Sequence, residues 1–172
     1  MRKTFIVGSI CSLLALGPAL AQRLQVGENL LVEIPGEFES AYHLKTDQGE
    51  INEFVREGET VEEWTEMITV QLFPPETDNR SFFRRFEALS RQSCKDSSIY
   101  VVATEKENGY RVKVFELYCP TNLQTQKGEV TFLKTLQGRD KFYVVQKAWR
   151  TDPFLAWIPT VGQGLTSGCC QC

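Results

Sequence analysis

Two long β-hairpins within residues 98–150 constrain the fold of this chain more than any other feature of its sequence. The first turns at Asn108-Gly109, two residues that tolerate the positive φ of a type I′ turn. The second turns at Gly138-Arg139, and β-branched and aromatic residues fill the runs on both sides of each turn. The sequence therefore predicts an antiparallel meander, whose four runs are 99–106, 110–119, 129–136 and 141–149.

The first half of the chain predicts shorter strands and one helix. Prolines 74 and 75 precede a helix predicted over residues 79–93, which Asp78 or Ser81 could cap. Its apolar stripe consists of Phe82, Phe83, Phe86 and Leu89. Its outer face is rich in arginine, with Arg80, Arg84, Arg85 and Arg91. We interpret the arginines as solvated charge in preference to an anion site. The predicted strands are 30–35, 38–46, 50–56 and 67–73.

Apolar side chains occupy both faces of the predicted meander, so both faces need cover. We expect the 79–93 helix on one face. On the other we expect the helical turn Val61–Trp64, together with residues 152–159. The predicted fold class is therefore α+β: an antiparallel meander sheet with helices packed on its faces, an α/β/α sandwich.

The first 21 residues have the pattern of a secretory signal. Arg2 and Lys3 precede a short apolar run, and Ala19-Leu-Ala21 provides a cleavage site after Ala21. An uncut N-terminal anchor is the alternative. The predicted organisation is a signal peptide over 1–21, one domain over 22–160 and a Gly/Cys-rich tail over 161–172. The expected location is periplasmic or secreted, without membrane insertion after cleavage.

The charge balance is acidic. The chain has 19 basic and 22 acidic residues, and removal of Arg2 and Lys3 leaves a net charge of −5. This balance argues against a nucleic-acid partner, and the sequence contains no polybasic run for anionic lipid.

Five cysteines follow the signal. If the Asn108-Gly109 turn pairs Glu107 with Tyr110, Cys119 faces Ser98 and Cys94 lies just ahead of that strand. A Cys94–Cys119 disulfide is therefore predicted, because an exported chain meets an oxidising compartment.

The tail carries the other three cysteines, Cys169, Cys170 and Cys172. Thiolates bind soft ions such as copper(I) or zinc, but three ligands without CxxC spacing make an incomplete site. Tail disulfides, pairing with another chain or a loose end remain open. No cofactor is predicted, with copper or zinc at these cysteines as the alternative.

Catalytic motifs are scarce. His43 is the single histidine, and no Gly-x-Ser-x-Gly pattern accompanies it. A group of carboxylates surrounds Trp64 without the spacing of a calcium loop, and we interpret it as solvated charge. Its members are Glu57, Glu59, Glu62, Glu63 and Glu66. The sequence therefore predicts that the protein is not an enzyme.

Several segments resemble a known group of proteins. The motif Trp-Thr-Glu-Met-Ile-Thr-Val-Gln at 64–71, Cys119 and residues 128–150 resemble a group of small uncharacterised secreted proteins of Gram-negative bacteria. The order of elements is also similar to the PsbP/DcrB-like α/β/α sandwich. That resemblance implies an accessory or binding protein and provides no catalytic residues. The Cys-rich tail matches nothing in it.

The sequence thus favours an exported, periplasmic, non-catalytic accessory protein that binds a partner protein or a small ligand through an edge or a face of its sheet. Trp64, Trp149 and Trp157 are the candidate contacts, with core packing as the alternative for each. The alternative function is a metal-binding or thiol-redox protein that uses Cys169, Cys170 and Cys172.

Overall fold

A computed structural model of the chain describes residues 27–155, which form one seven-stranded antiparallel sheet with a single α-helix. The sheet strands are β1 (Phe38–Thr46), β2 (Gly49–Arg56), β3 (Glu66–Phe73), β5 (Ser98–Glu107), β6 (Tyr110–Cys119), β8 (Gly128–Gln137) and β9 (Phe142–Thr151). The short strands β4 (Cys94–Lys95) and β7 (Thr121–Asn122) form a separate pair. The order across the sheet is β1-β2-β3-β9-β8-β6-β5, so β3 and β9 join an N-terminal and a C-terminal meander.

The predicted meander is confirmed. β5, β6, β8 and β9 pair in antiparallel succession. Asn108 and Gly109 connect β5 to β6 with φ of 48° and 87°, the left-handed region that made this dipeptide a turn signal. At the second turn, the Gly138 N–H donates to the Lys141 carbonyl over 3.1 Å.

A β-bulge changes the register of the first hairpin. Glu107 pairs with Tyr110 as predicted, but an extra residue lies between Val101 and Ala103. Beyond it Ser98 pairs with Tyr118, one residue away from the partner that simple counting from the turn gives. The predicted pairing of Ser98 with Cys119 is therefore wrong by one position.

Helix α1 (Asn79–Ser93) begins and ends where the sequence predicts. The Asp78 carboxylate accepts the Ser81 N–H over 2.7 Å, and the Ser81 hydroxyl oxygen accepts the Asp78 N–H over 3.2 Å. The two residues thus form a reciprocal capping box. Leu89, assigned to the apolar stripe, is 63% exposed because it lies at the margin of the contact with the sheet.

Both buried core clusters lie on the face of the sheet that α1 covers. Phe82 packs against Phe73 and Phe142, and Phe83 stacks on Phe115 at 5.2 Å between ring centroids. The second cluster contains Val55, Trp64 and Met67. Met67 and Phe73 are six residues apart on β3, so they point to the same face of the sheet.

The predicted α/β/α sandwich is therefore wrong. Strands account for 53% of the described residues and α1 for 12%, and all strands except the short β4–β7 pair form one antiparallel sheet. The Val61–Trp64 turn packs on the same face as α1, where Trp64 contacts Val55 and Met67. Residues 152–155 are not helical, and 156–159 lie outside the described residues.

The face opposite α1 is covered differently from the prediction. Residues 30–35, predicted as a strand, belong to no sheet ladder. They alternate between half-buried positions, such as Leu30 and Val32, and exposed ones, such as Leu31 at 92%. One side of this extended segment lies against the sheet, so it covers an apolar face without being a helix or a strand.

Candidate functional site

The face of the sheet opposite α1, called the open face below, is the candidate functional site. Its central side chains form rows across four strands, because directly paired residues of antiparallel strands share a face. One row is Val70, Val145, Lys134 and Val114, and the next is Ile68, Lys147, Phe132 and Glu116. This face therefore mixes apolar side chains with charged ones.

An aromatic group lies near the middle of the open face. The rings of Phe132 and Trp149 meet edge to face with centroids 5.7 Å apart, and Phe132 is 41% exposed. The Lys147 ammonium lies 5.1 Å from the Trp149 ring centroid and 5.5 Å from that of Phe38. Cation–π contacts of this kind hold the lysine against the rings and leave Phe132 accessible.

Charges beside these rings are paired. The Glu66 carboxylate accepts from the guanidinium of Arg56 and lies 3.1 Å from the Lys147 ammonium. The Arg56 hydrogen bond, followed by that from Lys147, lowers the pKa of Glu66 against the opposing effect of burial. The charges are paired but partly accessible, since the Arg56 and Lys147 side chains are 40% and 39% exposed, so this region combines aromatic and cationic surface.

The N-terminal segment, residues 27–35, is fixed to one end of the open face by Glu28. Its carboxylate accepts the backbone N–H groups of Arg139 and Asp140 at 3.0 and 3.2 Å. Its own N–H donates to the Asp140 carboxylate over 3.0 Å. Burial acts to raise the pKa of Glu28, but the backbone hydrogen bonds outweigh it and lower that pKa.

Gly138 makes room for this anchor. A Cβ at Gly138 would collide with the Glu28 carboxylate and would come within 2.6 Å of the Lys141 carbonyl oxygen. The carbonyl belongs to the backbone and cannot rotate away. The β8–β9 turn is therefore shaped to receive Glu28.

A groove of about 500 Å³ lies beside the N-terminal segment and is lined by residues of the segment and of the sheet. Its apolar lining is Leu30, Val32, Ile34, Phe54, Val70, Leu72 and Tyr143. Polar groups at its margin include Asn52, Asp140 and Lys141. The volume is in the range of small-ligand sites, but the groove is open to solvent and polar groups form a substantial part of its lining.

Tyr143 belongs to the anchor and to the groove. Its hydroxyl donates to the Glu28 carbonyl over 3.4 Å. Burial and then the nearby Glu28 charge raise the pKa of Tyr143 to about 12. The phenol therefore stays protonated near neutral pH, which suits hydrogen bonding and not proton transfer.

Phe154 covers the opposite end of the open face. Its N–H donates to the Pro120 carbonyl over 3.2 Å. Its ring lies so close to Gly128 that a Cβ there would be 2.7 Å from it. The N-terminal segment and Phe154 thus occupy the two ends, with Phe132 between them.

The three tryptophans have different positions. Trp149 lies on the open face next to Phe132. Trp64 is buried in the core on the α1 side, with the Arg150 guanidinium 4.0 Å from its ring centroid. Trp157 lies outside the described residues. The structure therefore places one of these predicted contacts on the candidate surface.

The groups considered for catalysis or metal binding are spread out. His43 lies on edge strand β1 with Nε2 3.2 Å from the Glu50 carboxylate, and its side chain is 51% exposed. Of the carboxylates taken for solvated charge, Glu59 accepts from Thr65 and Glu66 is ion-paired, so these two are structural. No group of three metal-ligating side chains occurs within residues 27–155. Cys169, Cys170 and Cys172 lie outside that range.

The predicted disulfide between Cys94 and Cys119 is confirmed. Its Cα atoms are 5.6 Å apart, and the two residues are 5% and 2% exposed. The bond joins the C-terminal end of α1 to the last residue of β6.

Comparison of the sequence with known proteins shows no family for this chain. No protein-family model matches the chain, and no curated protein has a significantly similar sequence.

Within residues 27–155, no helix is long and apolar enough to cross a membrane.

Proposed function

We propose that this is an exported, non-catalytic binding protein whose open face receives a ligand with an apolar, partly aromatic surface. The observation that carries the proposal is the exposed Phe132, which lies between the groove and Phe154 and beside paired charges. Accessible aromatic side chains surrounded by polar groups are typical of binding surfaces.

Export has two supports. Residues 1–21 have the pattern of a secretory signal, in which two basic residues precede an apolar run and an Ala-x-Ala cleavage site. The second support is the Cys94–Cys119 disulfide. Structural disulfides persist in oxidising compartments such as the bacterial periplasm. Export predicts a mature N-terminus at Gln22, which mass spectrometry of the native protein would measure; a retained Met1 would contradict it.

The structure favours the face of the sheet over its edges as the binding surface. Both edge strands contain bulges, between Ser40 and Tyr42 in β1 and between Val101 and Ala103 in β5. Bulges on edge strands disrupt the row of free backbone groups that an added strand would need. A ligand therefore meets less obstruction on the open face.

An apolar fluorescent dye tests the proposed surface directly. Anilinonaphthalene sulfonate should bind the folded protein, and Phe132→Ser should weaken its affinity by about fivefold, the equivalent of one aromatic contact. Leu89→Ser is the matched control, because Leu89 is an exposed apolar side chain on α1. Equal weakening by both variants, with their folding verified by near-UV circular dichroism, would reject the open face as the site.

The metal-binding or thiol-redox alternative depends on the sequence of the tail. Replacement of Cys169, Cys170 and Cys172 by serine should leave dye binding unchanged if the open face is the functional surface. About one equivalent of copper or zinc in the native protein, lost in this triple variant, would favour the alternative.

A further inference from the structure

The β5–β6 hairpin separates its charges between the two faces of the sheet. The paired residues Lys106 and Arg111, and Lys113 two residues further on, point to the α1 side. The acidic residues of the same hairpin, Glu105, Glu107 and Glu116, point to the open face. The α1 side of this corner is therefore basic although the whole chain is acidic.

Two of these basic residues oppose each other directly. Lys106 and Arg111 are cross-strand partners, and like charges in that position destabilise a sheet. Neither residue, nor Lys113, forms an ion pair with any of the described residues. The folded chain thus concentrates positive charge here without neutralising it.

Helix α1 brings two more cations to the same corner. The Thr135 hydroxyl donates to the Asn79 side chain, and Thr135 is the cross-strand partner of Lys113. The start of α1 therefore lies beside Lys113. Phe83 stacks on Phe115 of β6, whereas Phe82 faces β3 and β9.

Helical geometry then orients the neighbouring arginines. Arg80 lies about 60° around the helix axis from Phe83, on the β6 side of α1, and Arg84 lies about 100° from Phe83, on the outer face next to Arg80. Both are exposed, and neither forms an ion pair with a described residue. The nearby Asp78 carboxylate accepts the Ser81 N–H, and its charge also acts on Arg84, so it offsets part of the positive charge at the start of α1.

We infer that this basic surface, formed by Arg80, Arg84, Lys106, Arg111 and Lys113, docks an acidic segment of a partner protein. Guanidinium groups pair bidentately with carboxylates, which suits a segment rich in Asp and Glu. A compact partner is favoured over an extended polyanion, because the net charge of −3 for the whole chain would repel a large anionic surface or polymer. A short acidic segment interacts only within the screening length of about 8 to 10 Å, where the basic residues dominate. The inference does not depend on the open face.

Fluorescence anisotropy with a labelled octaglutamate peptide tests this inference. The full chain, exported and oxidised, should bind the peptide at low salt and release it as ionic strength rises. The variant Arg84→Gln, Arg111→Gln and Lys113→Gln should weaken binding by about tenfold or more. The matched control removes three cations outside this surface: Lys45→Gln, Lys95→Gln and Lys127→Gln. All three side chains are exposed.

Selective loss in the first variant, with both variants folded, supports the basic surface. Equal loss in the two variants would mean that net charge alone controls binding and would overturn the inference. Failure of the peptide to bind at 20 mM salt would also overturn it. A higher affinity for vesicles containing phosphatidylglycerol than for the peptide would also overturn the inference, because that result would identify a lipid surface as the partner.

Discussion

Removal of the Cys94–Cys119 disulfide should lower the free energy of unfolding by about 3.5 kcal/mol. The two cysteines are 25 residues apart, and the chain-entropy relation gives this value for a loop of that length. The effect comes mainly from the unfolded chain, which gains freedom when the loop opens. In the folded protein the bond holds the end of α1 to the end of β6, so hydrogen exchange should also accelerate first in the last turn of α1.

Urea unfolding followed by tryptophan fluorescence measures this loss. Cys94→Ala with Cys119→Ala should be compared with the bridged protein, both with serine at 169, 170 and 172 so that tail thiols cannot exchange. With a typical slope of about 2 kcal/mol per molar urea, the midpoint should fall by about 1.5 to 2 M. Reduction of the bridged protein should reproduce that fall. A loss below about 1 kcal/mol at an unchanged slope would refute the entropic reasoning.

Three further predictions follow from individual charges. Glu28→Gln should accelerate hydrogen exchange in residues 27–35. The pKa of Glu28 is lowered on folding, so the stabilisation by its carboxylate is present above the ordinary pKa of 4.5 and is lost as the pH falls through the lower folded pKa. Acid should therefore accelerate exchange in the unaltered protein as the substitution does at neutral pH. Exchange that neither the substitution nor acid accelerates would contradict this. Burial raises the pKa of Glu53, so the charged carboxylate is disfavoured in the folded state. Glu53→Gln should therefore raise the free energy of unfolding by less than about 1 kcal/mol at pH 7 and leave it unchanged well below pH 4.5. Urea titrations at the two pH values measure the difference. Arg111→Thr removes the repulsion with Lys106 and should raise the free energy of unfolding by about 0.2 to 1 kcal/mol, whereas a measured loss would mean that the arginine stabilises the fold.

Local signals predicted the parts of the fold that local physics determines. Asn108-Gly109 identified its hairpin because few dipeptides accept two successive positive φ angles. Asp78 identified the start of α1 because its carboxylate can accept a free N–H of the first turn. The disulfide followed from the hairpin, since the turn brings Cys94 close to Cys119 even with a register error of one residue.

The fold class required long-range information that these signals lack. Pairing of β3 with β9 places Met67 opposite Ala148, and this arrangement puts the Trp64 turn on the α1 side. An apolar second face shows that some cover is needed but does not show whether a helix, an extended segment or long side chains will supply it.

The candidate site was predicted in part. Trp149 was named as a candidate partner contact and stays a prediction, whereas Phe132 was not named, because only the register reveals that the two rings meet. The groove had only a weak signal in the sequence. Residues 30–34 are apolar except for Glu33, which indicates an extended apolar segment but not which of its side chains face the sheet.

The bulge in β5 explains how one hairpin can present opposite charges on its two faces. Ile99 and Val101 point towards α1, so uninterrupted alternation would also send Glu105 and Glu107 to that face and Lys106 to the other. The extra residue after Val101 reverses the alternation and puts Lys106 beside Arg111. The bulge therefore places Lys106 in the basic surface and Glu105 and Glu107 outside it, an arrangement that a count of charges along the chain does not show.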